Sequence, residues 1–170
     1  LLKPLGCTPL DYCTTKKYHS KKKWFTKPDQ GSMGRGIIIT TNPQEYVNSN
    51  VVIEESINMS LIRKRRWDLR VYVYHTIDND GNLKTYLFKD GLVRLCPEEF
   101  NINDISARNM CSNTSLYTKK DLDKNLNYCM TKLPDYDNIF KNIKYLLNKV
   151  HNIMKPMICH KNSFFFGNTT

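Results

Sequence analysis

A glycine-rich stretch at residues 27–36 constrains the fold of this chain more than any other feature. It reads Lys-Pro-Asp-Gln-Gly-Ser-Met-Gly-Arg-Gly, and it lies between an aromatic segment at residues 24–26 and a β-branched run at residues 37–41. This pattern predicts a strand, a flexible turn and a second strand. Three glycines in six residues allow a sharp turn that directs N–H groups at an anion, and Lys27 adds a positive charge. The stretch is therefore either a hairpin that covers a phosphate group or a plain glycine-rich turn.

The stretch departs from the two commonest nucleotide-binding loops. A P-loop places Gly-Lys-Ser/Thr at the start of a helix, whereas Gly34-Arg35-Gly36 precedes a run typical of a strand. Dinucleotide and kinase loops have the spacing Gly-x-Gly-x-x-Gly, and the spacing here is Gly-x-x-Gly-x-Gly. Two interpretations therefore remain: a phosphate-covering hairpin that is neither a P-loop nor a dinucleotide or kinase loop, and a plain glycine-rich turn.

Length and charge set further limits. The 170 residues make one domain or part of a larger one, and since the sequence begins with Leu1 rather than methionine we expect a fragment. The net charge of +10 favours an anionic partner, unless the lysine content reflects A/T-rich coding sequence. Because no apolar stretch reaches transmembrane length and no signal peptide is recognisable, we expect a cytoplasmic protein without a membrane partner.

The cysteines give no sign of a metal site. They are scattered through the chain, at Cys7, Cys13, Cys96, Cys111, Cys129 and Cys159. Zinc needs clustered ligands, and His160 beside Cys159 is isolated. We therefore expect reduced, structural thiols.

Periodicity predicts both strands and a helix. Residues 1–23, with prolines and a lysine cluster, are interpreted as an N-terminal connecting segment. Beyond the hairpin we predict strands at residues 51–53, 67–76, 85–88, 92–95 and 163–167. Turns at Asp80-Gly81 and Asp90-Gly91 would fold the middle of the chain into an antiparallel meander.

The C-terminal third has a different pattern. Residues 97–118 are predicted to be irregular, and residues 119–133 to be a loop with one helical turn. Apolar side chains recur at helical spacing over residues 137–154, between Pro134 and Pro156, which suits a helix that ends near these prolines and packs on a core.

The strand at residues 67–76 carries charged side chains on one face. Asp68, Arg70, Tyr72 and Tyr74 alternate with apolar residues, so they share that face. An aspartate and an arginine placed in this way are either a structural ion pair or ligand-binding groups in a cleft.

Together these segments resemble the tubulin–tyrosine ligase-like family of ATP-grasp ligases. The blocks that carry the resemblance are residues 24–28 with 34–37, residues 51–57, residues 66–73 and residues 86–94. They are similar to the family patterns W-I-x-K-P…G-x-G-I, V-x-Q-x-Y-I, K-F-D-L-R-x-Y-V and Y-L-Y-x-x-G-L-x-R. A weaker block, residues 110–115, stands where the family reads H-L-T-N-Y-S.

The resemblance implies an α+β, ATP-grasp-like fold over residues 24–170, with an antiparallel sheet, a glycine-rich phosphate-binding hairpin and at least one packed helix. It implies ATP-dependent ligation, in which a carboxylate becomes an acyl phosphate that an amine attacks to form an amide. One substrate would be a free amino acid (glutamate, glycine or tyrosine), which supplies one of the two reacting groups. The acceptor, tubulin or another acidic protein tail, would supply the other. ATP and Mg²⁺ are the implied cofactors, and microtubules or the cytoskeleton the implied location.

The resemblance also implies roles for single residues. Arg70 and Arg94 would be catalytic, and the substrate-binding residues would be Arg94, which would bind the carboxylate of the incoming amino acid, and Ser115. The ATP-binding set would be Lys27, Met33, Gly34, Glu54, Glu55, Ser56, Ile57, Arg66, Trp67, Asp68, Ser112 and Asn113. A cationic set of this kind suits phosphoryl transfer, which depends on positioning and charge neutralisation.

The chain also departs from the family pattern. Glu54, Glu55 and Ser56 stand where the family has glutamine, a basic residue and tyrosine. Arg66 stands for a lysine and Met110 for a histidine. Thr169 stands for the aspartate of the metal-binding strand, and no E-x-N motif follows, so we expect the magnesium ligands beyond Thr170.

Three hypotheses remain open from the sequence. The chain is part of a protein-modifying ligase; or it is a non-catalytic, degenerate member that binds ATP or an acidic protein tail; or it is a basic nucleic-acid-binding module. The last explains the charge and none of the blocks, and no nucleic-acid-binding motif is present, so a nucleic-acid partner is not expected.

Overall fold

The computed structural model describes residues 12–13, 22–30, 32–46 and 50–159. They form two antiparallel sheets and two α-helices, which confirms the α+β class and the antiparallel pairing. Predictions for Gly31, for the strand at residues 163–167, for Thr169 and for most of the segment 1–23 lie outside the described residues.

The first sheet contains the glycine-rich stretch. Its strand order is β1 (Tyr12–Cys13), β4 (Val51–Glu55), β2 (Trp24–Pro28) and β3 (Ile38–Thr40), and every pairing is antiparallel. Trp24 and Ile53 are buried on one face of this sheet, and Ile39, which is paired with Phe25, is buried on the other face, where it packs on Met110 and Cys111. The strands predicted around residues 24–26, 37–41 and 51–53 are therefore present, whereas β1 was not predicted.

The second sheet consists of β5 (Trp67–Ile77), β6 (Leu83–Leu95) and β7 (Asn127–Cys129), in that order. The predicted turn at Asp80-Gly81 joins β5 to β6. Gly81 has a φ of +79°, and the Asp78 carboxylate accepts hydrogen bonds from the backbone N–H groups of Asp80 and Asn82. This is the local geometry that Asp-Gly sequences favour.

The prediction of a second turn at Asp90-Gly91 was wrong, because β6 runs through both residues as one strand. A β-bulge lies here instead, where the register shifts between Val71 and Val73 on the partner strand. Asp90 accepts a hydrogen bond from the N–H of Gly91 at 2.7 Å, and a Cβ on Gly91 would lie 2.6 Å from the Arg70 carbonyl oxygen. Glycine is needed at this position for a close approach of two strands rather than for a turn.

The third strand of this sheet, β7, falls in the segment predicted to be a loop with one helical turn. Residues 119–133 in fact form a 3₁₀ helix (Lys119–Lys124), then β7, then a second 3₁₀ helix (Met130–Lys132). Residues 97–118 are largely irregular, as predicted, apart from the single turn α1 (Ala107–Met110) and a short 3₁₀ helix (Thr114–Leu116).

The predicted helix is present as α2 (Tyr136–Cys159) and covers one face of the second sheet. Ile139, Phe140 and Ile143 pack on a core that includes the fully buried Val93 and Leu95. The prediction that the helix ends before Pro156 was wrong, since this proline lies inside the last turns, where its missing N–H removes only one hydrogen bond. Within the described part of the chain, α2 included, no helix is both long and apolar enough to span a bilayer.

Candidate functional site

A cleft of about 410 Å³ opens where the two sheets meet, and side chains from β2, β4, β5, β6 and the segment after α1 line it. It brings together most of the residues that the sequence predicts to bind ATP, and it adds Arg94, which the sequence predicts to bind the incoming amino acid. The predicted ATP-binding residues in the cleft are Lys27, Glu54, Glu55, Ile57, Arg66, Trp67, Asp68, Ser112 and Asn113.

An aspartate–arginine pair lines this cleft. Asp68 and Arg94 are directly opposite each other on β5 and β6, and Arg94 donates from Nε to Asp68 Oδ1 and from Nη2 to Oδ2, each at 2.7 Å. The hydroxyl of Ser112 donates to Oδ2 of the same carboxylate. These hydrogen bonds to Asp68 raise the pKa of Arg94, so the guanidinium is a fixed, permanent charge.

The bulge in β6 is what creates this pair. Without it, the register seen at Tyr74 and Tyr86 would continue and place Leu92 opposite Asp68. The shift brings Arg94 to that place instead, in reach of both carboxylate oxygens. The sequence suggested an ion pair between Asp68 and Arg70 as one possibility, and the structure pairs Asp68 with Arg94.

The lysine of the glycine-rich stretch also has a carboxylate partner. Lys27 Nζ donates to Glu54 Oε2 across β2 and β4, and Lys22 forms a second ion pair with Glu55 at 2.6 Å. Glu54 and Glu55 thus neutralise these two lysines, and an anion must compete with Glu54 for Lys27. Lys22 was not predicted as part of the site, because its proximity to Glu55 depends on strand pairing.

Arg66 is the most buried charge of the cleft, with 8% of its surface exposed. Its Nη2 donates to the Ile57 carbonyl at 3.3 Å, and its guanidinium lies 5.6 Å from the ring centre of Phe100. Burial lowers its pKa, since a charge is costly where water is excluded. Arg66 also borders an adjoining cavity of about 650 Å³, and Ser56 lines that cavity rather than the cleft.

The glycine-rich loop packs on the segment that follows α1. Ser115 Oγ donates to the Met33 carbonyl at 2.6 Å, and a Cβ on Gly34 would lie 2.8 Å from Cγ of Asn113. Gly34 has a φ of +76°, a left-handed backbone conformation that favours glycine. Glycine is therefore suited to this position both by its backbone conformation and by the close approach of the Asn113 side chain. Met33, Gly34 and Ser115 therefore lie together at the loop and do not line the cleft itself.

Arg70 is not brought into the cleft. It lies two residues beyond Asp68 on the same face of β5, exposed to solvent, and within the described ranges its guanidinium has no hydrogen-bond or ion-pair partner.

A charge network outside the cleft holds Ser112 and Asn113 in place. Arg108 of α1 donates to Glu98, to Asp121 and to the Leu116 carbonyl, so it joins both ends of this segment. The Asp121 side chain is fully inaccessible and also accepts from Lys124 and from the N–H of Thr118. Sequence reasoning missed this network, because residues 98, 108 and 121 have no local pattern that relates them.

Replacing Asp121 with asparagine should reduce the acid sensitivity of the fold. The hydrogen bond from Lys124, with those from Thr118 and Arg108, holds the pKa of Asp121 far below its usual range. The carboxylate therefore stabilises the folded state at neutral pH, and this contribution is lost as the pH falls below about 4, where the unfolded chain takes up a proton. Between pH 7 and pH 3 the midpoint of thermal unfolding should fall less for Asp121→Asn than for the wild type.

Asp123→Asn is the matched control for this measurement, because Asp123 is an exposed residue of the same 3₁₀ helix. It should retain the pH dependence of the wild type. Identical curves for Asp121→Asn and the wild type would contradict the assigned role of Asp121.

The cleft suits a nucleotide better than a metal ion. Its volume lies in the range of small-molecule sites, roughly 300–1,000 Å³, and it presents Lys27, Arg66 and Arg94 to phosphate or carboxylate oxygens. In the part of the chain that the structure describes, no three His, Cys, Asp or Glu side chains are grouped so as to hold a metal. These residues therefore do not fit Mg²⁺ on their own.

Buried thiols form part of the cleft wall. Burial raises the pKa of Cys96 to about 12 and raises that of Cys111, so both stay protonated at neutral pH. Cys96, Cys111 and Cys129 are free of disulfide bonds, as expected for structural thiols.

Comparison with known proteins identifies relatives. The model of the Tubulin-tyrosine ligase family matches residues 8–163. The chain is 34% identical over 93 residues to Tubulin polyglutamylase TTLL13 of Homo sapiens, which covers 52% of this chain and 11% of that protein. It is 29% identical over 120 residues to Tubulin polyglutamylase ttll6 of Danio rerio, which covers 65% of this chain and 15% of that protein. The matched segment thus spans only a small fraction of the length of these relatives.

Proposed function

The chain belongs to the tubulin-tyrosine ligase family, and on this premise we propose that its protein is an ATP-dependent carboxylate–amine ligase with an ATP-grasp-like core. The reaction would join a free amino acid (glutamate, glycine or tyrosine) to an acidic protein tail through an amide bond. The names of the similar proteins describe tubulin polyglutamylases, so glutamate and tubulin are the first pair to test, and association with microtubules follows from that acceptor.

The observation that carries this proposal is the convergence of Lys27, Arg66, Asp68 and Arg94 in one cleft. Lys27 lies on the first sheet, Asp68 and Arg94 lie on the second, and Arg66 directly precedes β5. They are separated by up to 67 positions in the sequence, yet they line one cleft whose volume suits a nucleotide. Three cations in that volume can hold phosphate and carboxylate oxygens in fixed positions, which is most of what phosphoryl transfer requires of a protein.

We assign the following roles within the cleft. Lys27 would bind phosphate oxygens in the cleft, and the loop at Met33 and Gly34, which packs on Asn113 of the cleft wall and is held by Ser115, would cover them from outside. The segment from Glu54 to Ile57 would present backbone groups and an apolar wall to the adenine. When bound, ATP would supply the phosphoryl group that activates a carboxylate.

The remaining groups would orient the second substrate. Asp68, held by Ser112, fixes the Arg94 guanidinium, and Arg94 would bind the carboxylate of the incoming amino acid. Arg70 lies farther out on the same face, so in this arrangement it would approach the acceptor rather than the nucleotide.

A second candidate function is a non-catalytic family member that binds ATP or an acidic tail. It is favoured by the ion pairs that neutralise two cations of the cleft, Lys27 with Glu54 and Arg94 with Asp68. Such pairs reduce the net attraction for phosphates without closing the cleft.

A ligation assay distinguishes the two candidates. The protein is incubated with tubulin, ATP, Mg²⁺ and one radiolabelled amino acid at a time, and a non-hydrolysable ATP analogue serves as the control. Label that enters tubulin only with hydrolysable ATP supports the ligase. ATP binding without incorporation of any of the three amino acids would favour the non-catalytic candidate, and incorporation without ATP would contradict the ligase mechanism.

Replacing Glu54 with glutamine should strengthen ATP binding. The change releases Lys27 from a partly exposed ion pair and removes a negative charge near the phosphates, so we expect an affinity roughly 3- to 10-fold higher. Competition with a fluorescent nucleotide measures the change. Glu99→Gln, at an exposed glutamate outside the cleft, should leave the affinity unchanged, and weaker binding by Glu54→Gln would show that Glu54 contacts the ligand favourably.

A further inference from the structure

Four aromatic side chains are exposed together on the second sheet. Tyr72, Tyr74, Tyr86 and Phe88 are 51%, 65%, 55% and 64% exposed, and they form what we call the aromatic face. They surround a shallow groove of about 510 Å³, in which the ring centres of Tyr74 and Tyr86 are 6.3 Å apart. Large aromatic groups are costly to leave in water, and a contiguous patch of them marks a binding surface.

The aromatic face lies on the side of the sheet that α2 does not cover. On β5, Leu69 and Val71 face the core under α2, whereas Tyr72 and Tyr74 point the other way because strand residues alternate. Tyr86 is opposite Tyr74 on β6, so the two strands contribute rings to the same surface.

This surface is continuous with the candidate site. Asp68, Arg70, Tyr72 and Tyr74 occupy successive positions on one face of β5, so the face extends about 20 Å from the Asp68–Arg94 pair to Tyr74. An extended peptide that lies along it would therefore reach the cleft with one end.

The polar groups of the surface suit an acidic occupant. Arg70 is exposed between the cleft and the aromatic face, and the three tyrosine hydroxyls can donate hydrogen bonds. Asp68, at the cleft end, is already neutralised by Arg94. From Arg70 to Tyr74 on β5 and from Tyr86 to Phe88 on β6 the sequence contains no aspartate or glutamate. The neighbouring carboxylate, Asp90, accepts hydrogen bonds from the N–H groups of Gly91 and Thr131, which offset its charge towards a negatively charged peptide.

We propose that the aromatic face binds an extended acidic peptide of the acceptor protein and directs it towards Arg94; this rests on the proposed ligase function. The rings would pack on the aliphatic parts of the peptide, while Arg70 and the tyrosine hydroxyls bind its carboxylates. Four rings expose on the order of 500 Å², which is less than the approximately 800 Å² that each partner of a stable protein dimer buries, so a peptide fits this surface better than a second copy of the chain.

The test measures binding of a fluorescein-labelled, glutamate-rich peptide to the 170-residue chain by fluorescence anisotropy. We expect Tyr74→Ser/Tyr86→Ser to bind at least roughly tenfold more weakly than the wild type, because exposed aromatic anchors dominate such surfaces. Tyr145→Ser is the matched control, since Tyr145 is 59% exposed on α2, away from this face, and it should bind as the wild type does. Both serine variants alter exposed positions, and circular dichroism confirms that each one is folded.

Three results would overturn the proposal. The first is equal peptide affinity in the double variant and the wild type, or no binding by the wild type. The second is equal binding of a peptide in which glutamine replaces every glutamate. The third is self-association of the wild type that the double variant abolishes, which would assign the face to a second copy.

ATP binding, measured on the same proteins, separates this proposal from the proposed function. If ATP binds to the wild type and to Tyr74→Ser/Tyr86→Ser alike while peptide binding is unaffected by the substitutions, the acceptor surface is wrong and the nucleotide cleft stands. If the peptide binds through the aromatic face and ATP does not bind, the ligase assignment is wrong and the binding surface stands.

Discussion

Replacing Arg66 and Asp68 together with alanine is expected to weaken ATP binding at least about 100-fold, because each removes a charge-assisted contact of roughly 1.5–3 kcal/mol. Arg66 is buried between the cleft and the adjoining cavity, where water screens its charge little. Asp68 would accept hydrogen bonds from the ribose hydroxyls, so its loss removes a direct contact with the nucleotide, and it also leaves Arg94 without the two hydrogen bonds that fix its position. Isothermal titration calorimetry with ATP measures the effect.

Arg63→Ala/Asp123→Ala is the matched control for this double variant. It removes one arginine and one aspartate at exposed positions that do not line the cleft. The net charge of the chain is therefore the same in the control and in the test variant, and the control should bind ATP with the affinity of the wild type. Because Arg66 is buried, circular dichroism must show that the test variant is folded, and Arg66→Lys/Asp68→Asn provides a milder version. Wild-type affinity in both of these folded variants would count against the nucleotide cleft.

Replacing Lys27 with methionine should weaken binding of ATP roughly 10- to 100-fold and leave the affinity for adenosine unchanged, because the loss is that of one charge-assisted hydrogen bond to a phosphate. Methionine keeps the length and the apolar stem of lysine and removes only the charge. The same substitution leaves Glu54 without its partner, and the free carboxylate adds repulsion towards the phosphates. Both affinities are measured by calorimetry on the same protein preparation.

Lys119→Met is the control for the lysine substitution, since Lys119 is exposed in the 3₁₀ helix outside the cleft. It should affect neither ligand. An equal loss of ATP and adenosine affinity in Lys27→Met would place Lys27 near the base or the ribose and contradict the phosphate role of the glycine-rich loop.

Local patterns predicted the elements of this fold well. The aromatic and β-branched segments around the glycine-rich stretch form β2 and β3, and the apolar stripe that begins at residue 137 forms α2. These elements depend on spacing within a few residues, which a sequence shows directly. β7 was missed because its three residues carry no alternation of their own and are fixed by pairing with Leu92, Val93 and Arg94.

The motif blocks predicted most of the residues that line the candidate cleft, but they did not predict the contacts between those residues. The bulge at Asp90 and Gly91 looked like a turn, since Asp-Gly favours turns, and the bulge determines that Arg94 rather than Leu92 faces Asp68. Likewise, the partners of Lys27 and Lys22 follow from strand register, so Glu54 and Glu55 were assigned to the adenine hinge without their ion pairs. Contacts between distant residues depend on tertiary packing that local propensity does not encode.

Calorimetric titration of the 170-residue chain with ATP, in the presence and in the absence of Mg²⁺, is the most direct test of the nucleotide cleft. We expect about one ATP to bind per chain, and we expect this binding to be lost in Arg66→Ala/Asp68→Ala and retained in Arg63→Ala/Asp123→Ala. Absence of ATP binding by the folded chain under both conditions would contradict the nucleotide cleft, and with it the proposal that this chain supplies the ATP site of a ligase.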